Sequence, residues 1–234
     1  MGEGGTNGSA LSVVDVIIVA RDADATLAEV VAALPSRVAR SVVVVDQGST
    51  DRTMQVAQAV GAIALRATGP GYGAACQRGL THLASLPRPP DCVVFLAADG
   101  SDDSAELPRL VHPLRESLFD LVIGVRPRRP LSPVRAATFI AGRLIEGIYG
   151  ERFRDFGSFR AIRYPALVAL GLRDVGAGWS VEMQVKAARL GLRTAEVPVS
   201  RLPGRASPFK ERLADAAATG TRGLYHILRH STTR

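Results

Sequence analysis

Two cysteines, Cys76 and Cys92, are the only thiols in 234 residues. Neither falls in a Cys-x-x-Cys pair or a Cys/His cluster, which excludes a zinc centre and a disulfide framework. Both are expected as small buried hydrophobes. Aromatic residues make up 5% of the chain against 47% hydrophobic residues, so the core must be aliphatic and alanine-rich. No stretch reaches the ~20 apolar residues of a membrane span. The first twelve residues, MGEGGTNGSALS, carry neither a basic start nor an apolar run, so they are no secretory signal. They are expected to be disordered. These absences point to the cytoplasm and leave open a peripheral contact at the inner face of a membrane. Acid excess is lacking too. With 29 Lys and Arg against 22 Asp and Glu, the chain carries +7. Such a surface favours anionic partners. No aromatic-interleaved basic patch or known module is present, so nucleic acid is not expected among them.

What the sequence does have is alternation. The β-branched run VDVIIVA (14–20) precedes a segment of helical spacing, TLAEVVAALP (26–35), closed by Pro35. Further strands are expected at 41–48, 62–67, 91–98 and 119–125. Helices are expected at 49–61, with Ser49 or Thr50 near the N-cap, and at 71–86 behind a Gly-rich turn. Doubly buried strands each followed by a helix imply an α/β fold on a mostly parallel central sheet flanked by helices. Ligands in such sheets bind at the carboxyl ends of strands, which singles out Asp22, Asp46, Gln47 and Asp99. After residue 125 the pattern changes. A basic Pro-rich connector leads to a helix (136–150), an extended segment FGSFRAIR (156–163), a helix (178–192) and a strand (194–200). A basic loop (201–212) and a tail helix (213–234) follow.

Each strand-end feature has two readings. Asp46 can accept hydrogen bonds from a nucleoside, or close an Asx-turn before the next helix. GPGYGAAC (69–76) can cradle phosphate at a helix N-terminus. It can equally serve close helix–sheet packing, because it is neither a P-loop nor a dinucleotide fingerprint. Asp99, Asp102 and Asp103 suit Mg²⁺ or Mn²⁺, which accept few protein carboxylates when a diphosphate supplies the rest. Asp103, and with it Asp102, can instead cap the following helix. The basic loop holding Arg201, Arg205, Lys210 and Arg212 can clamp phosphate or be a solvated surface.

Six blocks in order resemble family 2 glycosyltransferases of the GT-A fold, closest to the dolichyl- or polyprenyl-phosphate mannosyl- and glucosyltransferase branch. VVVVDQGSTDRT is similar to the family's Val-Asp-Asp-Gly-Ser-x-Asp-x-Thr. GPGYGAACQRGL is similar to its Gly-rich segment, and VVFLAADGSDD to its Asp-x-Asp metal motif. DLVIGVR is similar to the strand with Gly-Ser-Arg, DFGSFRAIR to Asp-x-x-Ser-Gly-Phe-Arg, and GWSVEMQVKAARLGLRTAEVPV to the acidic helix and next strand.

The resemblance implies one GT-A domain over 13–212, with a nucleotide-sugar half (13–125) and an acceptor half (126–212). It implies sugar transfer from a UDP- or GDP-linked donor to a polyprenyl phosphate or a small molecule, with inversion. Asp22 and Asp46 would contact base and ribose, and Ala20, Gly73 and Trp179 would also meet substrate. Asp99 and Ser101 would ligate Mg²⁺ or Mn²⁺. Asp155, Ser158 and Arg160 would line the acceptor side, and Arg201 and Arg205 would grip phosphates. Asp155 or Glu182 would take the proton of a hydroxyl acceptor. Three acids of the pattern are missing. Ala97 replaces the first carboxylate of Asp-x-Asp, Gln47 replaces the second of Asp-Asp-Gly-Ser, and the family's Pro-Ala-x-Asn-Glu after the first strand is Val19-Ala20-Arg21-Asp22-Ala23, without its Glu. A weak or dispensable metal, or a relative that binds a nucleotide sugar or a protein partner without catalysis, is therefore the competing expectation. The tail suits a membrane surface through Leu224, Tyr225, Ile227 and Leu228. It equally suits packing or a homodimer.

Overall fold

The computed structural model describes residues 13–127 and 133–202, with the side chains of 133–138 left aside. Seven strands form one sheet in the order β3-β2-β1-β4-β6-β5-β7. They are β1 (Val14–Ala20), β2 (Ser41–Asp46), β3 (Ile63–Arg66), β4 (Cys92–Ala97), β5 (Leu121–Val125), β6 (Arg160–Arg163) and β7 (Thr194–Pro198). All pairings are parallel except those of β6, which runs antiparallel between β4 and β5.

Alternation along β1 separates two cores. Val14, Val16, Ile18 and Ala20 face one cluster, shared with α1 (Leu27–Ala32), α2 (Thr53–Ala59) and α4 (Leu107–Arg115). Ile17 and Val19 face the other, shared with α3 (Tyr72–Ala84), α5 (Pro133–Tyr149), α6 (Tyr164–Leu170) and α7 (Trp179–Arg189). The sheet is thus the middle of three layers, and each buried Val, Leu or Ile contributes about 1.5–3 kcal/mol.

One charge lies inside at the amino end of the sheet. Asp15 is fully buried. Arg40 grips both of its oxygens, and Ser41 Oγ donates to it at 2.8 Å. Arg40 Nη1 continues to the Arg88 carbonyl at 2.8 Å.

Several expected boundaries move for identifiable reasons. Helix α2 starts at Thr53, not at 49, because Ser49 and Thr50 are engaged with Asp46 and Asp22 and cap nothing. The segment 156–163 is strand only over Arg160–Arg163, since its first half turns around Asp155 and Gly157. Helix α6 was not anticipated. Pro165 opens it, Leu167 and Leu170 bury its inner side, and Gly171 ends it in the left-handed region at φ 52°.

The parallel order puts the carboxyl ends of β1 through β5 and β7 along one edge. The chain leaves β1 toward β2 and β3, then returns to β4 on the other side. The resulting switch point lies between Val19 and its register partner Ala97.

Candidate functional site

At this edge Ala20 stands beside Asp46 in register. Two residues past β1, Asp22 adopts φ 44°, a left-handed conformation that aspartate tolerates. Its amide donates to Ser49 Oγ at 2.9 Å, and its Oδ1 accepts the Thr50 amide at 2.8 Å. Ser49 Oγ in turn donates to Asp46 Oδ1, which also accepts the Ser49 amide at 3.1 Å. One hydroxyl therefore joins the loops after β1 and β2. Asp46 is 1% exposed, so it builds the Asx-turn of the second reading; Asp22 stays exposed.

The Gly-rich turn is a packing device. Gly71 has φ 104°, and a Cβ on Gly73 would lie 2.1 Å from the Asp174 carbonyl oxygen. The Gly73 and Ala74 amides donate to the carbonyls of Gly176 (3.1 Å) and Val175 (2.8 Å). The first turn of α3 thus spends these donors on the 174–176 loop.

Beyond β4, Asp99 Oδ1 accepts the Ser101 amide at 3.0 Å. Asp103 caps the 3₁₀ turn Ser104–Glu106 through the Ala105 amide at 3.0 Å. Asp102 caps nothing. It is 2% exposed and held by Arg126, just past β5, whose Nε and Nη2 donate to its two oxygens at 2.7 and 3.0 Å. Burial pushes the Asp102 carboxyl up, against the opposing pull of Arg126. The Arg126 amide donates to Asp155 Oδ2 at 3.2 Å, and Asp155 Oδ1 accepts the Gly157 amide at 2.7 Å. Arg201 is bridged to Asp102 through the backbone, and the Leu202 amide donates to the Ser101 carbonyl at 3.1 Å. Asp99, Ser101, Asp155 and Arg201 are thereby gathered around one arginine. The sequence marks that arginine by its place directly after a buried strand and by the likeness of DLVIGVR to the Gly-Ser-Arg strand.

Three other expected contacts point inward. Arg160 is fully buried and donates to the carbonyls of Gly157 and Ser180 and to Met183 Sδ. It braces the 157 turn against α7. Trp179 is fully buried, edge-on to Phe95 at 4.8 Å and Tyr72 at 6.0 Å, and is a core residue. Glu182 accepts the amides of Arg173 (3.0 Å) and Asp174 (2.8 Å) and pairs with Lys186 at 2.7 Å. Burial pushes Glu182 up, but Lys186 and these amides outweigh it and leave the carboxyl below its ordinary range. A carboxylate so held is a poor base. Ser158 is half-buried beside the Asp155 turn. Arg205 and the tail residues lie outside the described residues.

A cavity of about 390 Å³ opens past the ends of β5 and β7, lined by Arg109, Arg126, Arg154, Glu196, Val199 and Ser200 among others. Each arginine has an acidic neighbour: Glu106 at 2.7 Å from Arg109, Asp102 at 2.7 Å from Arg126, and Glu196 at 3.6 Å from Arg154. Burial raises the Glu196 carboxyl.

A mostly parallel sheet with an antiparallel sixth strand, and acidic residues at its carboxyl edge, defines the GT-A class of glycosyltransferases. The structure superposes on glucosyl-3-phosphoglycerate synthase of Mycobacterium tuberculosis with a TM-score of 0.78 and 24% identity, over 94% of this chain and 81% of that one. That likeness carries the fold. One solved form of the same synthase holds Mn²⁺, UDP-glucose and phosphoglyceric acid. The sequence pattern described as glycosyl transferase family 2 matches residues 15–167. An uncharacterized glycosyltransferase of Mycobacterium tuberculosis is 33% identical over 196 residues, 81% of this chain and 85% of its own length. The undecaprenyl-phosphate mannosyltransferase of Micrococcus luteus is 35% identical over 176 residues, 68% of this chain and 70% of its own. The chain belongs to glycosyl transferase family 2.

The donor set does not compose a metal centre that the chain can hold by itself. Ala97 offers no ligand and both oxygens of Asp102 accept from Arg126, which leaves Asp99, one of whose oxygens accepts the Ser101 amide. Among the described residues no group of three His, Cys, Asp or Glu could hold a metal ion. No helix among them is long and apolar enough to cross a membrane.

Proposed function

We infer that the chain transfers a hexosyl group from a UDP- or GDP-linked sugar to an anionic acceptor, with inversion. The acceptor is a polyprenyl phosphate or a small phosphorylated or carboxylated molecule. One observation carries the reading: the carboxyl edge of the sheet has two unlike ends. Asp22, Asp46 and Asp99 mark the donor end, in the half spanning 13–125. The arginine-lined cavity, built mostly from the half spanning 126–212 with Arg109 and Val125 from the other, marks the acceptor end.

The chemistry is a single displacement. An acceptor oxygen bonds to the sugar's anomeric carbon as the bond to the diphosphate oxygen breaks. The electron pair leaves with the nucleoside diphosphate. An acceptor phosphate is already anionic and needs no base. For a hydroxyl acceptor, Asp155 is preferred over Glu182 as base: each accepts two amides, but Glu182 is also paired with Lys186 at 2.7 Å. Charge on the leaving group falls to the chain's own cations. Arg21 follows β1 and Arg66 ends β3, and both are exposed at the donor end. The mannosyltransferase relative supports the lipid acceptor, and the synthase fold supports the small one.

Calorimetric titration with UDP, GDP and their sugar conjugates tests the donor assignment. Binding is expected for one base series, weakened at least tenfold in Asp22→Ala, which removes the exposed carboxylate at that end. No binding to any nucleotide would overturn the assignment. Radiolabelled transfer to undecaprenyl phosphate or to 3-phosphoglycerate then selects the acceptor. Flotation with anionic vesicles, reversed by salt, is expected with the lipid acceptor only. The second reading, a nucleotide-sugar binder without turnover, draws on Ala97 and the engaged Glu182. It predicts donor binding without transfer to either acceptor.

A further inference from the structure

We propose that Arg126 stands in the place of a divalent cation at this site, so that its guanidinium supplies the positive charge among Asp99, Asp102 and Asp155. The claim about donor binding below rests on the site assigned under Proposed function; the claim about the cation does not.

Four observations converge. First, the fork is bidentate, at 2.7 and 3.0 Å, which matches the two oxygens of a carboxylate as a ligating metal would. Second, the pair is withdrawn from water, with the Asp102 side chain 1% exposed and that of Arg126 21%. It therefore does not dissolve into solvent as a surface pair does. Third, the guanidinium has a fitted seat. A Cβ on Gly157 would fall 2.7 Å from Arg126 Nη2, and the Gly157 amide fixes Asp155 at the same point. Fourth, Asp102 itself is clamped. Its neighbour Ser101 accepts the Leu202 amide, and its own backbone bridges Arg201. Asp102, Asp155 and Asp99 together keep the Arg126 guanidinium charged against its burial.

The substitution at 97 agrees with this arrangement. With alanine there, a metal would find Asp99 and little else, whereas a guanidinium tied to Asp102 needs no ligand from 97. Arg126 also lines the cavity at the acceptor end. One fixed charge thus lies between the two ends of the edge, and nothing is required to dissociate between turnovers.

The inference predicts that removing the arginine creates a metal site. Asp102 would then lose its counter-charge, with Asp155 and Asp99 the other carboxylates whose charge acts on it, and hard cations take oxygen ligands of this kind. The probe is Mn²⁺ alone, followed by the loss of the free-ion electron paramagnetic resonance signal at pH 8 without nucleotide. The wild-type chain is expected to leave the signal unchanged at millimolar Mn²⁺. Arg126→Met, which keeps the aliphatic stem, is expected to bind Mn²⁺ at least tenfold more tightly. Asp102→Asn added to Arg126→Met is expected to abolish the gain. Far-ultraviolet circular dichroism confirms that each protein is folded. If Arg126→Met does not fold, Arg126→Lys, which keeps one charge but cannot fork, is expected to show a smaller gain. Wild-type Mn²⁺ binding as tight as that of the variant would overturn the proposal, as would no gain in a folded variant. A second arm measures UDP and GDP affinity with Mn²⁺ and with chelator. Affinities equal within twofold are expected, and a tenfold rise with Mn²⁺ refutes the proposal. Absence of nucleotide binding sinks the donor site while leaving the Mn²⁺ arm decisive.

Discussion

Replacing Gly73 by alanine adds one methyl group where the structure has no room for it. The new Cβ would sit 2.1 Å from the Asp174 carbonyl oxygen and 2.8 Å from the Val175 carbonyl carbon. Both are backbone atoms, so no side chain can swing aside. Relief requires the 174–176 loop and the start of α3 to part by about 1 Å. That movement strains or breaks the bonds from the Gly73 and Ala74 amides to Gly176 and Val175, at 3.1 and 2.8 Å. Each such bond contributes about 1 kcal/mol net, and overpacking adds roughly 1–3 kcal/mol. Because the two relax together, the expected loss is about 2–4 kcal/mol. For a chain of this size that lowers the melting temperature by roughly 5–15 °C. Differential scanning calorimetry and urea unfolding read the loss directly. Gly147→Ala is the control. This glycine lies within α5 with no atom within 4 Å of its would-be Cβ. Alanine there is expected to stabilise by about 0.5–1 kcal/mol through helix propensity and a less mobile unfolded chain. If Gly73→Ala melts within a degree of wild type while Gly147→Ala behaves as stated, the docking of the glycine turn on the 174–176 loop is refuted.

Asp15→Ala leaves Arg40 without its buried partner and is expected to cost about 2–4 kcal/mol, read as a lower urea midpoint. An unchanged midpoint would show that Arg40 simply turns to water. Burial pushes the Cys92 thiol up to about 12 and raises Cys76 as well. Neither should react with Ellman's reagent at pH 8 until urea unfolds the chain, and rapid labelling of the native protein would contradict their burial. Glu182 has a depressed folded pKa, so its contribution to stability is present above the unfolded carboxylate value and is lost as pH falls through the folded one. Wild-type urea midpoints should therefore drop more steeply below about pH 4.5 than those of Glu182→Gln, and parallel curves would refute the Lys186 linkage.

Period and burial made the fold legible. The short apolar runs of β1, β2 and β4, rich in valine and isoleucine in the first two, read as strands covered on both faces, and their order along the chain implies the parallel sheet. The back half was less legible because its signals are short. β6 has four residues and β7 five, and β6 enters antiparallel between two strands made much earlier. Nothing local marks that insertion, since it is fixed by long-range pairing of Phe95 with Arg160 and of Ile123 with the same residue. The start of α2 shifted for a different reason. Ser49 and Thr50 are good capping residues, but Asp46 and Asp22 offered them closer acceptors.

The site was legible as a location and illegible as a set of partners. Strand ends told where Asp22, Asp46, Gln47 and Asp99 would stand, because the parallel sheet leaves one edge for all of them. They could not tell which charges would be spent on one another. Asp102 lies 24 residues before Arg126 in sequence and meets it only because β4 and β5 flank β6. Before that meeting, Asp102 is a plausible helix cap or metal ligand, and Arg126 a loop cation. Afterwards each oxygen of Asp102 accepts from Arg126, so a cation there would have to compete with the guanidinium. Glu182 repeats the lesson on α7. Lys186 lies one turn further along the same helix and was visible as an i, i+4 partner. The Arg173 and Asp174 amides that complete its coordination come from a loop whose path only α6 determines. The lost acids at 23, 47 and 97 therefore cannot be weighed by counting what remains. They must be weighed by asking which remaining carboxylates still have an oxygen to offer, and around Asp102 the answer is set by an arginine.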